Sequence, residues 1–114
     1  MTTVTFEKDG NGQYRSFTCF GHAGFARKRA GKYESDILCA AITALTANTI
    51  NGLSELAGED VTVTKNDEDA FVRCEINSPL KESSILLVDA YLMSLREYEK
   101  DYGKNLKVIV KEVI

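Results

Sequence analysis

A histidine and a cysteine, which together can form an activated nucleophile, lie close in this sequence. His22, the one histidine among 114 residues, lies in a Gly-His-Ala-Gly motif at residues 21–24. Cys39 follows Asp36 by three residues, and Asp is a preferred helix N-cap, so the spacing predicts Cys39 in a first helical turn. Unpaired backbone N–H groups and the helix dipole stabilise a thiolate there, and a nearby histidine makes such a thiol nucleophilic. The two residues form a candidate Cys–His dyad.

Each member of this pair also has a structural interpretation. Cys39 can be a buried cysteine that packs the first turn, and His22 can donate a hydrogen bond to backbone at the end of a strand. A zinc site is a third interpretation, because two residues separate Cys19 from His22. Residues three apart on a strand point to opposite faces, however, and the chain has no Cys-x-x-Cys pair, so no metal and no cofactor is predicted.

The other two cysteines fit a hydrophobic core. Cys74 alternates with Val72 and Ile76, and Cys19 lies near Phe17 on a predicted strand. Three widely spaced cysteines do not make a disulfide framework, so reduced thiols in a cytoplasmic protein are expected.

Length and charge limit the class of protein. One domain over residues 1–114 is predicted, and a net charge of −3 does not favour binding to nucleic acid or anionic membranes. The first residues do not resemble a signal peptide. No apolar run is expected to approach the roughly 20 residues that span a bilayer.

The periodicity predicts an α+β fold in the order ββαββαβ, with two helices packed on a mixed or antiparallel sheet. The predicted elements are strands near residues 4–6 and 14–20, a helix over 36–57, a hairpin over 61–76, a helix over 82–102 and a strand near 106–110. The apolar stripe of the first helix comprises Leu38, Ile42, Leu45, Thr49 or Ile50, Leu53 and Leu56.

A loop over residues 25–33 joins the two candidate residues and contains four basic side chains, Arg27, Lys28, Arg29 and Lys32. A basic loop is ordinarily a solvated surface segment. Its position between base and nucleophile favours a second interpretation, a glycine-hinged flap that folds over a bound peptide.

The Gly-His-Ala motif, together with Asp-x-x-Cys-Ala-Ala at residues 36–41, resembles the ribosomal-processing cysteine protease family (Prp). The likeness extends over essentially the whole chain. Thr43 stands where many members have Ser, which keeps a hydroxyl, and the loop between His22 and Cys39 is longer and more basic than is usual.

The resemblance implies a cysteine endopeptidase that removes the N-terminal extension of a large-subunit ribosomal protein, number twenty-seven. It assigns Cys39 as nucleophile and His22 as general base and acid, and it implies a homodimer. Backbone N–H groups of Cys39 and Ala40 would stabilise the oxyanion. Asp36 would either orient His22 or cap its own helix, while Gly21 and Thr43 support the site.

A competing hypothesis is a non-catalytic ribosome-associated binding module that uses the basic loop on RNA. The net negative charge and the lack of aromatic stacking residues in that loop disfavour direct contact with nucleic acid. Thiol labelling separates the two hypotheses, because only the protease requires a reactive Cys39.

Overall fold

The computed structural model describes residues 1–21 and 32–113, and for residues 32–36 the backbone alone. The elements follow the predicted order ββαββαβ. They are β1 (Thr2–Lys8), β2 (Tyr14–Phe20), α1 (Lys32–Asn51), a π-helical turn (Gly52–Leu56), β3 (Val61–Asn66), β4 (Phe71–Ile76), α2 (Glu82–Tyr102) and β5 (Leu106–Glu112). The fold class is therefore the predicted one.

The five strands form one mixed sheet in the order β3-β4-β2-β1-β5. β1 pairs in parallel with β5, and the other neighbours are antiparallel. Because β4 lies beside β2, the β3–β4 hairpin is adjacent to the end of β2 that leads to His22. Phe20 pairs with Phe71, the first residue of β4.

The core lies between one face of the sheet and the two helices. Phe6, Phe17 and Tyr91 form an aromatic cluster, with the Tyr91 ring centroid 5.3 Å from that of Phe6 and 5.2 Å from that of Phe17. The Tyr91 and Thr46 hydroxyls are 2.7 Å apart, so the buried phenol of α2 is hydrogen-bonded to α1. This packing fixes α1 over the sheet.

Helix α1 begins at Lys32, four residues before the predicted start at Asp36. The prediction is wrong because an N-cap signal is local, and residues 32–35 include no proline or glycine that would prevent them from being helical. Asp36 is consequently the fifth residue of the helix and Cys39 the eighth. Neither the N-cap assigned to Asp36 nor the first-turn position assigned to Cys39 is present.

At its other end, α1 continues into the π-helical turn, which the periodicity did not predict. A π turn has more residues per turn than an α-helix and therefore shifts the phase of the apolar stripe. Leu53 remains fully buried, but Leu56, predicted on the stripe, is 90% exposed.

The segment Ile37–Leu56 is 20 residues long with a mean hydropathy of 1.4, long and apolar enough to cross a membrane by those two criteria. The expectation that no stretch approaches this length is therefore wrong. Core helices of soluble proteins meet the same criteria, and the inward side chains of this helix, Leu38, Ile42, Ile50 and Leu53, are buried against the sheet and α2.

Candidate active site

Cys39 lies in a cleft of about 310 Å³ between α1 and the end of the sheet. Helix α1 contributes Cys39, Ile42 and Thr43, β1 contributes Thr2, β2 contributes Cys19, and Gly21 follows the end of β2. The third wall is the β3–β4 hairpin, with Lys65, Asp67, Ala70, Phe71 and Val72. We call this space the Cys39 cleft. Three of the residues predicted for the site, namely Gly21, Cys39 and Thr43, lie together in it.

Gly21 shapes one wall of the Cys39 cleft. Its φ of +93° lies in the left-handed region, where a side chain is strained, and an added Cβ would lie 2.6 Å from the Met1 carbonyl oxygen. Glycine is therefore required here for both conformation and space. The next residue in the chain is the predicted base, His22, which lies outside the described residues.

A second cleft of about 340 Å³ continues along α1 and shares Cys19, Thr43, Lys65 and Val72 with the first. We refer to the two together as the α1–hairpin groove. Ile50 and Val63 line the second cleft, which is therefore partly apolar. A long, partly apolar groove beside a cysteine is the shape expected of a site for an extended peptide.

The other two cysteines are poor nucleophiles. Burial raises the pKa of the Cys19 thiol to about 11; a hydrogen bond with Thr46 opposes the rise, and the nearby Cys39 adds to it. Burial likewise raises the pKa of Cys74 to about 11, with a smaller contribution from Glu75. Both groups remain thiols at neutral pH, and the prediction that they serve as core residues agrees with the full burial of Cys74 and the packing of Cys19 against the core.

These values predict the order of thiol labelling. At pH 8 a thiol with a pKa of 11 is thiolate in about one molecule in a thousand, so iodoacetamide should modify Cys39 well before Cys19 or Cys74. Labelling of the latter two should increase as the pH rises toward 11. Peptide mapping after timed alkylation measures the order, with the Cys39→Ala protein as control. Modification of Cys19 at the rate of Cys39 would contradict this assignment.

Several sequence predictions fall outside the described residues. His22 and residues 25–31 of the basic loop are among these, and so is the side chain of Asp36; Lys32 and Tyr33 belong to α1. Within the described part of the chain, no three His, Cys, Asp or Glu side chains are grouped to hold a metal ion. Because His22 lies outside the described residues, the absence of a metal site stays a prediction.

The oxyanion donors proposed from sequence require correction. The N–H groups of Cys39 and Ala40 lie in the second and third turns of α1, where helical pairing directs them to the carbonyls of residues 35 and 36. Helix geometry therefore occupies both donors. The Ala40 side chain is exposed and does not line the cleft.

The β3–β4 hairpin contributes to the site in a way that the sequence does not predict. Alternating residues predict the hairpin itself, but the pairing of β4 with β2 is a long-range feature that periodicity does not reveal. The available signal was the spacing of Val63 and Lys65. Residues two apart on a strand point to the same face, so Lys65 places a charged side chain on the helix-facing side of β3.

Comparison with known proteins identifies the family. The family model described as cysteine protease Prp matches residues 1–107. The chain belongs to the Prp family. It is 27% identical over 112 residues to the ribosomal processing cysteine protease Prp of Bacillus subtilis, covering 95% of this chain and 96% of that protein.

Solved structures share the fold. The ribosomal processing protease Prp of S. aureus, in complex with a covalently linked product peptide, matches with a TM-score of 0.81 at 21% identity, over 96% of this chain and 99% of that chain. The same protease with a substrate peptide matches with a TM-score of 0.82 at 21% identity and the same coverage. As a Prp-family member, this chain is a cysteine protease, which decides against the non-catalytic binding module.

Proposed function

We propose that this Prp-family protease is an endopeptidase that removes the N-terminal extension of a large-subunit ribosomal protein, number twenty-seven, through a dyad of Cys39 and His22. The observation that carries the proposal is the position of Cys39 in the same cleft as Gly21, the residue before His22. The names of the similar proteins, which are ribosomal processing proteases, support the substrate class.

The proposed reaction has two halves. The Cys39 Sγ attacks the scissile carbonyl carbon while His22 accepts the thiol proton, and the tetrahedral intermediate collapses as His22 returns that proton to the leaving amine. This step releases the mature ribosomal protein and leaves the extension bound to Cys39 as a thioester. Water then attacks the thioester with His22 as base, which releases the extension as a carboxylate and restores the thiol.

The oxyanion needs donors other than the N–H groups of Cys39 and Ala40. We assign one of these to the Thr43 hydroxyl, which follows Cys39 by four residues on the same face of α1, is exposed and lines the same cleft. The hydroxyl is a donor with a freely rotating proton, so it can follow the carbonyl oxygen as charge develops on it.

The α1–hairpin groove supports a peptide substrate rather than a compact protein surface. It runs along α1 past both Cys39 and Ile50, so an extended segment can place several side chains in it. An N-terminal extension is a chain end of this kind.

The family resemblance is also the basis for expecting a homodimer and a cytoplasmic location. Sedimentation equilibrium on the purified protein tests whether it is a dimer.

Incubation with the extended ribosomal protein from the same organism tests the proposed function. Intact-mass spectrometry should show one new product, shorter by the N-terminal extension, and its mass defines the cleavage site. The matched controls are the mature ribosomal protein as substrate and Cys39→Ser as enzyme, both of which should give no product. If the extended protein stays intact while the enzyme cleaves other peptides, the proposed substrate is wrong.

A further inference from the structure

The peptide unit that joins Gly21 to His22 is held by a buried side chain. The Thr2 hydroxyl donates a hydrogen bond of 3.0 Å to the Gly21 carbonyl oxygen. That oxygen belongs to the planar unit that also contains the His22 nitrogen, because the peptide bond does not rotate freely. A group that orients the Gly21 carbonyl therefore orients the bond from which His22 begins.

Thr2 is itself firmly placed. The residue is 2% exposed, it pairs with Leu106 in the parallel β1–β5 ladder, and its N–H donates to the Asn105 carbonyl oxygen at 2.9 Å. A hydroxyl that starts from such a fixed backbone has few positions available. Burial also makes the hydrogen bond hard to replace with water.

A second contact holds the other side of Gly21. The Gly21 N–H donates to the Ala70 carbonyl oxygen at 3.0 Å, and Ala70 has a φ of +49°, which is uncommon for a residue with a side chain. Strained conformations of this kind persist where the surrounding structure imposes them, and they concentrate at functional sites. Both hydrogen-bonding groups of Gly21 are therefore occupied, one by Thr2 and one by the hairpin.

We propose that Thr2 is a positioning residue for the catalytic base: its hydroxyl, through the Gly21 carbonyl, sets the direction in which the chain enters His22. This inference rests on the proposed dyad, and it assigns to Thr2 no contact with substrate. A base displaced by about 1 Å loses much of its effect, on the order of 100-fold in rate in the extreme case.

The test compares two substitutions at one position in the full-length enzyme. Thr2→Val keeps the shape and removes the hydroxyl, whereas Thr2→Ser keeps the hydroxyl and removes a methyl group. We expect Thr2→Val to lower kcat by about ten-fold with KM within about two-fold of the parent, and Thr2→Ser to retain most of kcat. Melting temperature and the protection of the buried Cys74 from alkylation report the folded population for each variant.

The outcomes separate this inference from the proposed function. An active parent whose Thr2→Val variant keeps the parental kcat overturns the positioning role and leaves the dyad in place. Equal losses of kcat for the Val and Ser variants, or a loss that follows the folded fraction alone, also overturn it. A parent that does not cleave the extension overturns the proposed substrate instead, and in that case the comparison is made on the peptide the parent does cleave.

Discussion

Replacement of Cys39 with alanine is expected to abolish cleavage of the extension while the melting temperature changes little. Cys39 lines the Cys39 cleft and is only partly buried, so the smaller side chain leaves little empty volume. The other thiol of this cleft, Cys19, is a poor substitute because burial raises its pKa to about 11. Loss of the covalent route should reduce kcat to the background of the assay.

The matched controls are the other two cysteines. Cys19→Ala and Cys74→Ala should retain activity, apart from lower stability at the fully buried Cys74, on the order of 1–2 kcal/mol. Cleavage kinetics and thermal melts on the three purified variants measure both quantities. Full proteolysis by the Cys39→Ala protein, or loss of activity in a folded Cys19→Ala protein, would contradict the assignment of the nucleophile.

Replacement of His22 with alanine is expected to lower kcat by roughly 10²–10⁴-fold, the usual contribution of a positioned general base and acid. KM should change less, because the proposed role of His22 is proton transfer and not binding. Steady-state kinetics from pH 5 to 9 measure both parameters, and the parent should lose activity below the range in which histidine is neutral.

The acidic side of the pH–rate profile provides the control for this second prediction. In the His22→Ala protein the remaining activity should no longer follow a histidine titration, and alkylation of Cys39 at neutral pH should become slower. A variant with the parental pH profile would rule out His22 as the base. A well-ordered crystal structure with His22 and Cys39 on opposite faces of the sheet would do the same.

The strands and α2 could be predicted from sequence because strong local signals bound them. Alternating apolar residues define β1, Asp9 to Gly12 form a turn with Gly12 at φ +77°, and Gly103 follows the last residue of α2. The Asp9 carboxylate accepts hydrogen bonds from the Asn11 and Gln13 N–H groups, which is the turn chemistry expected of aspartate.

The start of α1 and the π-helical turn could not be predicted in this way. Both depend on what a segment packs against, and a cap residue such as Asp36 is equally compatible with a helix interior at a small cost. Gly52 illustrates the point: a Cβ there would lie 2.7 Å from the Leu87 side chain, so its role comes from contact with α2 and not from its neighbours in sequence.

In the candidate site, too, some features follow from local sequence and others from long-range packing. Residue type and spacing identified Cys39, the family resemblance added Gly21 and Thr43, and the structure places these three in one cleft. The hairpin wall and the hydrogen bond from Thr2 to Gly21 depend on strand order and on contacts between residues 19 positions apart. Local sequence patterns do not contain that information.

The most direct test of the central claim is the site of covalent attachment of a substrate-derived inhibitor. The probe is the extension peptide carrying a thiol-selective acyloxymethyl ketone at the cleavage site that the product mass defines. We predict one peptide per chain attached to Cys39, and much slower attachment to the His22→Ala protein. Attachment to Cys19 or Cys74 in preference to Cys39, or an unmodified enzyme that still cleaves the extension in the presence of the probe, would contradict the account.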